Sequence, residues 1–127
     1  LPYLSVCTTS THDMSPLRAW WTENRTLTQR YYNEILQHEG TAPEECNETI
    51  CREILVKHLQ STAMWVILPW QDWMSADEKL WNPNPAIERI NIPANPAHRW
   101  QYRMHLSLDD LLKEADFNQM ISKMNRR

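Results

Sequence analysis

The sequence predicts a helix-rich α/β protein in which a small parallel sheet is covered by helices. Two observations carry that reading. Residues 3–8 and the continuous apolar run 64–69 read as strands, and helix-patterned segments lie between them and after them. Parallel strands need a long crossover and a helix supplies one, so the order strand, helices, strand, loop, helices points to parallel pairing. A single glycine, Gly40, also leaves little material for the tight hairpins of an antiparallel meander. Two strands neither close a sheet nor bury both its faces. Residues 1–127 therefore read as one piece that needs the rest of a barrel.

Residues 3–8 alternate weakly and run into a turn over residues 9–13. Ser15 followed by Pro16 is a helix start, a capping oxygen and then a residue whose missing N–H does no harm there. Leu17, Trp20 and Trp21 form the apolar face of that short helix, and Thr22-Glu23-Asn24-Arg25 interrupts it. Thr26-Leu27-Thr28-Gln29 has the form of a capping box that restarts it. Leu27, Tyr31 and Ile35, with Tyr32 beside them, make one stripe, and Gly40 is expected as the left-handed cap.

The next helix is expected over residues 47–60, with Ile50, Ile54, Leu55 and Leu59 inward. The run 64–69 has the form of a strand buried on both faces. Trp70-Gln71-Asp72-Trp73-Met74 fits one helical turn. Residues 82–99 are rich in Pro and Asn and show no period, and a loop of that length in a compact domain is usually functional. Ser107-Leu108-Asp109-Asp110 opens a helix over Leu111 and Leu112. Asp116 is expected to cap the last helix, with Phe117, Met120, Ile121 and Met124 inward.

Composition narrows the function. Thirteen basic and 16 acidic residues give a net charge of −3 without a basic block, so nucleic acid and anionic membranes have no electrostatic support as partners. One glycine argues against a Gly-rich phosphate loop. No signal peptide or membrane span is recognisable, and the longest apolar run is far too short to cross a bilayer. Cys7, Cys46 and Cys51 form no metal-binding pattern, and Cys46 and Cys51 are expected on different faces of a helix. Buried free thiols fit a reducing, cytoplasmic compartment. His38, His58 and His105 have no convergent partner, so neither a metal nor another cofactor is expected. Seven Trp are many for this length; each is a core candidate or a flat face for a ligand.

Thr11-His12-Asp13 lies just past a strand and just before a helix, the end of a parallel strand at which ligands bind. A neutral His and a fixed carboxylate side by side can hold two vicinal sugar hydroxyls, with bonds that tighten as the ring flattens toward an oxocarbenium ion. Taken alone, these two residues fit better a turn with an Asp cap and a surface His. Their surroundings change the reading.

The stretch Val6-Cys7-Thr8-Thr9-Ser10-Thr11-His12-Asp13-Met14-Ser15-Pro16-Leu17-Arg18-Ala19-Trp20-Trp21 resembles the amylomaltases, or 4-alpha-glucanotransferases, whose pattern is a strand, T-H-D, and then R-G-W-W. Ala19 replaces the family's Gly. Thr28-Gln29-Arg30-Tyr31-Tyr32-Asn33-Glu34 is similar to a family helix. Ala63-Met64-Trp65-Val66-Ile67-Leu68-Pro69-Trp70-Gln71-Asp72 is similar to the last barrel strand and its Q-D segment. Arg89-Ile90-Asn91-Ile92-Pro93 and Trp100-Gln101-Tyr102-Arg103 resemble R-(M/I)-N-x-P and the terminal W-x-x-R. The spacing from Ile90 to Arg103 is most like the branch with plant cytosolic disproportionating enzymes and similar bacterial proteins.

The resemblance implies the C-terminal part of a (β/α)8 TIM barrel, its last two strands with their helices. It implies an enzyme that moves α-1,4-glucan segments between maltooligosaccharides by a retaining double displacement. Three carboxylates serve that chemistry in the family. Asp13 matches the transition-state stabiliser, and His12 the neighbouring sugar ligand. The nucleophile and acid/base lie on earlier strands and have no counterpart here, so the piece alone is expected to be inactive. The opening on Leu1-Pro2-Tyr3, without Met, fits a start within a strand.

Asn91 matches a family position close to bound sugar; as a loop Asn it fits equally a bond to its own backbone. Trp70 either offers a stacking surface for glucose or packs the barrel. His98, Trp100 and Arg103 are expected to be structural. An open sheet edge also leaves self-association, element swapping or non-native packing open to such a piece. Two rival readings are a non-catalytic carbohydrate-binding module, which predicts many short strands and turn glycines, and a helical interaction domain, which leaves the placement of Thr11-His12-Asp13 unexplained.

Overall fold

The computed structural model describes residues 1–126 and has a two-stranded parallel sheet with helices between and after its strands. Strand β1, Val6–Cys7, pairs in parallel with β2, Trp65–Val66, so that Val6 faces Trp65 and Cys7 faces Val66. The ladder reaches past both strands: Met64 N donates to Tyr3 O at 2.8 Å and Ile67 N to Cys7 O at 2.9 Å. The parallel pairing is as expected, but the strands are shorter than the runs at 3–8 and 64–69. The second run is not buried on both faces, since Trp65 and Ile67 are each 60% exposed. Among the described residues nothing covers that side of a two-stranded sheet.

The crossover holds α1, Leu17–Glu23, α2, Arg25–Arg30, and α3, Glu48–Leu59. Its core joins Leu17 and Trp21 to Leu36, Ile50, Cys51 and Ile54. Helix α1 is capped otherwise than expected. Ser15 makes no cap, and the N–H of Leu17 is taken by Asp72 Oδ1 at 2.7 Å. A long-range carboxylate does there what a local hydroxyl was expected to do.

Asn24, not the Thr26 box, caps α2 by accepting from Leu27 N at 3.0 Å. After Arg30 the backbone widens into a π turn over Tyr31–Ile35, with Leu36 N bonded to Tyr31 O at 3.0 Å. The buried face differs from the expected stripe. Thr28 and Leu36 are buried, while Leu27 and Ile35 are exposed. The first left-handed residue past the turn is Gln37, at φ 62, rather than Gly40.

Helix α3 matches the expected 47–60 segment, with Asn47 accepting from Ile50 N at 3.0 Å. Cys46 precedes the helix and folds back on it. Its sulfur therefore lies 3.3 Å from that of Cys51 instead of on a different face.

Past β2 comes α4, Trp70–Met74, then short 3-10 turns at Glu78–Leu80 and Pro85–Glu88. Arg18 lies 3.9 Å over the ring of Trp81 and donates to Asn82 O at 3.0 Å, which pins the start of the long loop. Helices α5, Leu108–Lys113, and α6, Ala115–Met124, close a second core of Met74, Leu80, Leu111 and Phe117. Ser107 caps α5 as expected, accepting from Asp110 N at 3.1 Å, but Leu112 points outward. Helix α6 follows Glu114 directly and has no side-chain cap; Asp116 lies in its first turn. Among the described residues no helix is long and apolar enough to cross a membrane.

Candidate functional site

The site is the turn that follows β1. Thr8 Oγ1 donates to Ser10 O at 2.7 Å, and Met14 N closes a turn on Thr11 O at 3.1 Å. Beneath it Asp72, from α4, is fully buried and gathers three donors: the hydroxyl of Thr9, the Ser10 hydroxyl at 2.7 Å and the Leu17 N–H at 2.7 Å. A carboxylate removed from water must find such donors. These link the end of β1, the start of α1 and the helix after β2 in one knot.

On that base His12 and Asp13 stand half exposed, with His12 Nε2 at 3.4 Å from Asp13 Oδ2. The loop after Pro85–Glu88 then closes over them. Asn91 N donates to His12 O at 2.9 Å, and the Asn91 side-chain amide donates to Asp13 Oδ1 at 2.6 Å. His98 Nε2 lies 2.9 Å from Ile90 O and steadies the same loop.

Three of the residues singled out in the sequence thus come together: His12, Asp13 and Asn91. Asn91 bonds neither a neighbour in its own loop nor open solvent through that amide; it bonds the carboxylate. Trp70 packs its ring edge-to-face on Phe117 at 5.9 Å in the second core. Its contacts do not run to His12, Asp13 or Asn91.

Sequence reasoning passed over three residues that the fold brings to the turn. Trp100, expected to be structural, tilts over the His12 ring at 4.9 Å while 62% exposed. Arg89 reaches Ser15 Oγ at 2.9 Å and Asp13 O at 3.3 Å. Asp72 is the third. Each was legible only as part of a short motif, without a role. Nearby, Glu88 is buried at the base of the loop, and burial pushes its carboxyl up to about 7 against the pull of Arg18.

Residues 1–109 match the family model described as 4-alpha-glucanotransferase. The chain belongs to the 4-alpha-glucanotransferase family. It is 34% identical over 122 residues to the 4-alpha-glucanotransferase DPE2 of Oryza sativa subsp. japonica, covering 96% of this chain and 13% of that protein. It is 27% identical over 122 residues to the 4-alpha-glucanotransferase of Chlamydia trachomatis, covering 95% of this chain and 23% of that one. Among solved structures it resembles the amylomaltase from Streptococcus agalactiae in complex with acarbose, with TM-score 0.62 at 19% identity, over 96% of this chain and 22% of that one. That likeness speaks for the fold. This 4-alpha-glucanotransferase-family chain thus spans less than a quarter of the length of each of these relatives.

Proposed function

We propose that this chain supplies the last two strands and the associated helices of a (β/α)8 barrel that transfers α-1,4-glucan segments between maltooligosaccharides with retention. The observation that carries the reading is the anchored carboxylate: Asp13, at the end of β1, has Oδ1 held by the Asn91 amide at 2.6 Å. A carboxylate fixed by a neutral donor keeps its aim. Positive charge develops at the sugar only as the glycosidic bond breaks, so such a group stabilises the transition state more than the neutral substrate.

In this reading His12, beside it, bonds a hydroxyl of the same sugar. The side-chain oxygen of Asn91, Oδ1, can accept from another. The amide bond to Asp13 gives Asn91 a second role, to orient the stabiliser. In this reading the nucleophile and the acid/base come from strands outside residues 1–127. A stabilising carboxylate without them neither forms nor breaks the bond.

Two measurements test the reading. The purified 127-residue chain releases no glucose from maltotriose; release would overturn the division of labour. In the longer enzyme carrying this segment, Asp13→Asn lowers turnover by roughly a hundredfold or more, the range for removal of a transition-state electrostatic partner, with substrate affinity little changed. Near-normal turnover would remove Asp13 from the chemistry.

A further inference from the structure

Arg89 follows the Pro85–Glu88 turn and sends its guanidinium back to the β1 turn. Nε donates to Asn91 O at 2.9 Å, Nη1 to Ser15 Oγ at 2.9 Å and Nη2 to Asp13 O at 3.3 Å. Nη1 also lies 3.8 Å from Glu23 Oε1, and Ser15 donates to that same carboxylate oxygen. One planar cation therefore holds the main chain of Asp13, the main chain of Asn91 and the end of α1.

We infer that Arg89 is the positioning residue that sets the geometry of the Asp13 carboxylate, an inference that rests on the function proposed above. Asn91 bonds Asp13 Oδ1 through its side chain. Arg89 bonds the carbonyls of both partners. It fixes the distance between the carboxylate and the amide that aims it, and it touches neither side chain of the pair. The planar fork is what does this. A lysine ammonium is a point charge on a flexible stem and cannot meet three divergent acceptors at once. Glu23, half exposed, adds its charge beside Nη1 on the Ser15 side of the fork.

The test uses the longer enzyme with maltotriose. R89K lowers kcat by about a hundredfold, the scale expected for a misplacement of roughly 1 Å at the reacting centre, while KM moves by no more than about threefold. In the R89K/D13N double variant kcat is no lower than in D13N alone, because Arg89 acts through the carboxylate that D13N has already disabled. A purely structural arginine would instead lower kcat further in the D13N background. R89K with wild-type kcat, or losses that multiply, overturns the inference. A D13N enzyme with normal turnover would sink the proposed function itself, so the two failures are distinguishable. If thermal unfolding shows that R89K does not fold, Glu23→Gln decides: it loosens the guanidinium without cutting the fork, and it must lower kcat at unchanged KM. Unchanged kcat in E23Q counts against the inference.

Discussion

The side-chain amide of Asn91 donates to Asp13 Oδ1 at 2.6 Å across 78 positions of sequence, and the Asn91 N–H donates to the carbonyl of His12 at 2.9 Å. One loop residue thereby sets both the side chain and the backbone of the turn. Half exposed, the bond contributes only about 1 kcal/mol to stability.

Asn91→Asp replaces the donor with a second carboxylate at the same place. Two adjacent carboxylates cannot both ionise freely, and one is driven to hold a proton. In the longer enzyme turnover at neutral pH falls roughly tenfold or more. The lower limb of the pH–rate profile shifts as well. An unchanged profile in N91D would show that the Asp13–Asn91 contact is not made in the working enzyme.

Asp72→Ala strips acceptors from the buried Ser10 hydroxyl and the Leu17 N–H and uncaps α1. Each orphaned donor costs about 1–3 kcal/mol, so the loss is on the order of 3 kcal/mol in urea unfolding. Asp72→Asn keeps one acceptor oxygen and loses less. A loss below about 1 kcal/mol in D72A would mean that the knot beneath the turn contributes little.

Glu88 makes stability depend on pH. Its carboxyl is pushed from 4.5 up to about 7 by burial, with Asp72 adding to that push and Arg18 and the Asn82 backbone opposing it. An acid raised on folding binds its proton more tightly in the folded chain. Its contribution is therefore complete below the unfolded value of about 4.5, declines as pH rises and is lost once pH passes about 7. Glu88→Gln flattens that slope, measured as the denaturation midpoint between about pH 4.5 and pH 8. An equally steep slope in E88Q would assign it to another group.

Trp100 covers one face of the His12 ring. An aromatic pair of this kind is worth about 0.5–1.5 kcal/mol beyond burial, so Trp100→Ala raises KM roughly two- to tenfold in the longer enzyme. Trp100→Phe restores most of the affinity. Equal KM in wild type and W100A would leave the Trp without influence on the turn.

Local sequence carried a good part of the fold. The apolar runs and the spacing of Ile50, Ile54 and Leu59 place strand, helix and strand in the order observed, and the pairing is parallel. The turn after β1 was legible too, because Thr11-His12-Asp13 sits between a strand and a helix start. Other features were not. The cap of α1 comes from Asp72, 55 residues away, where a local Ser was expected. The buried positions are Thr28 and Leu36 rather than Leu27 and Ile35, and residue type alone does not announce a buried Thr beside an exposed Leu, or the π turn that follows. Arg89 and Trp100 were legible as members of short motifs, but the side chains and carbonyls they contact lie far away in sequence.

What the sequence determined by itself is what short-range physics controls: the order of strands and helices, the Ser107 cap of α5, and the identity of the residues in the turn. Tertiary structure decided what those residues touch. Asp13 becomes an oriented carboxylate only because Asn91 and Arg89 reach it across 78 and 76 positions. Thr11-His12-Asp13 supplies the groups, and the loop from Arg89 to Trp100 supplies the geometry. Chain entropy opposes closing loops of that length, so the contacts exist only once the packed core and the Asp72 knot hold both segments in place.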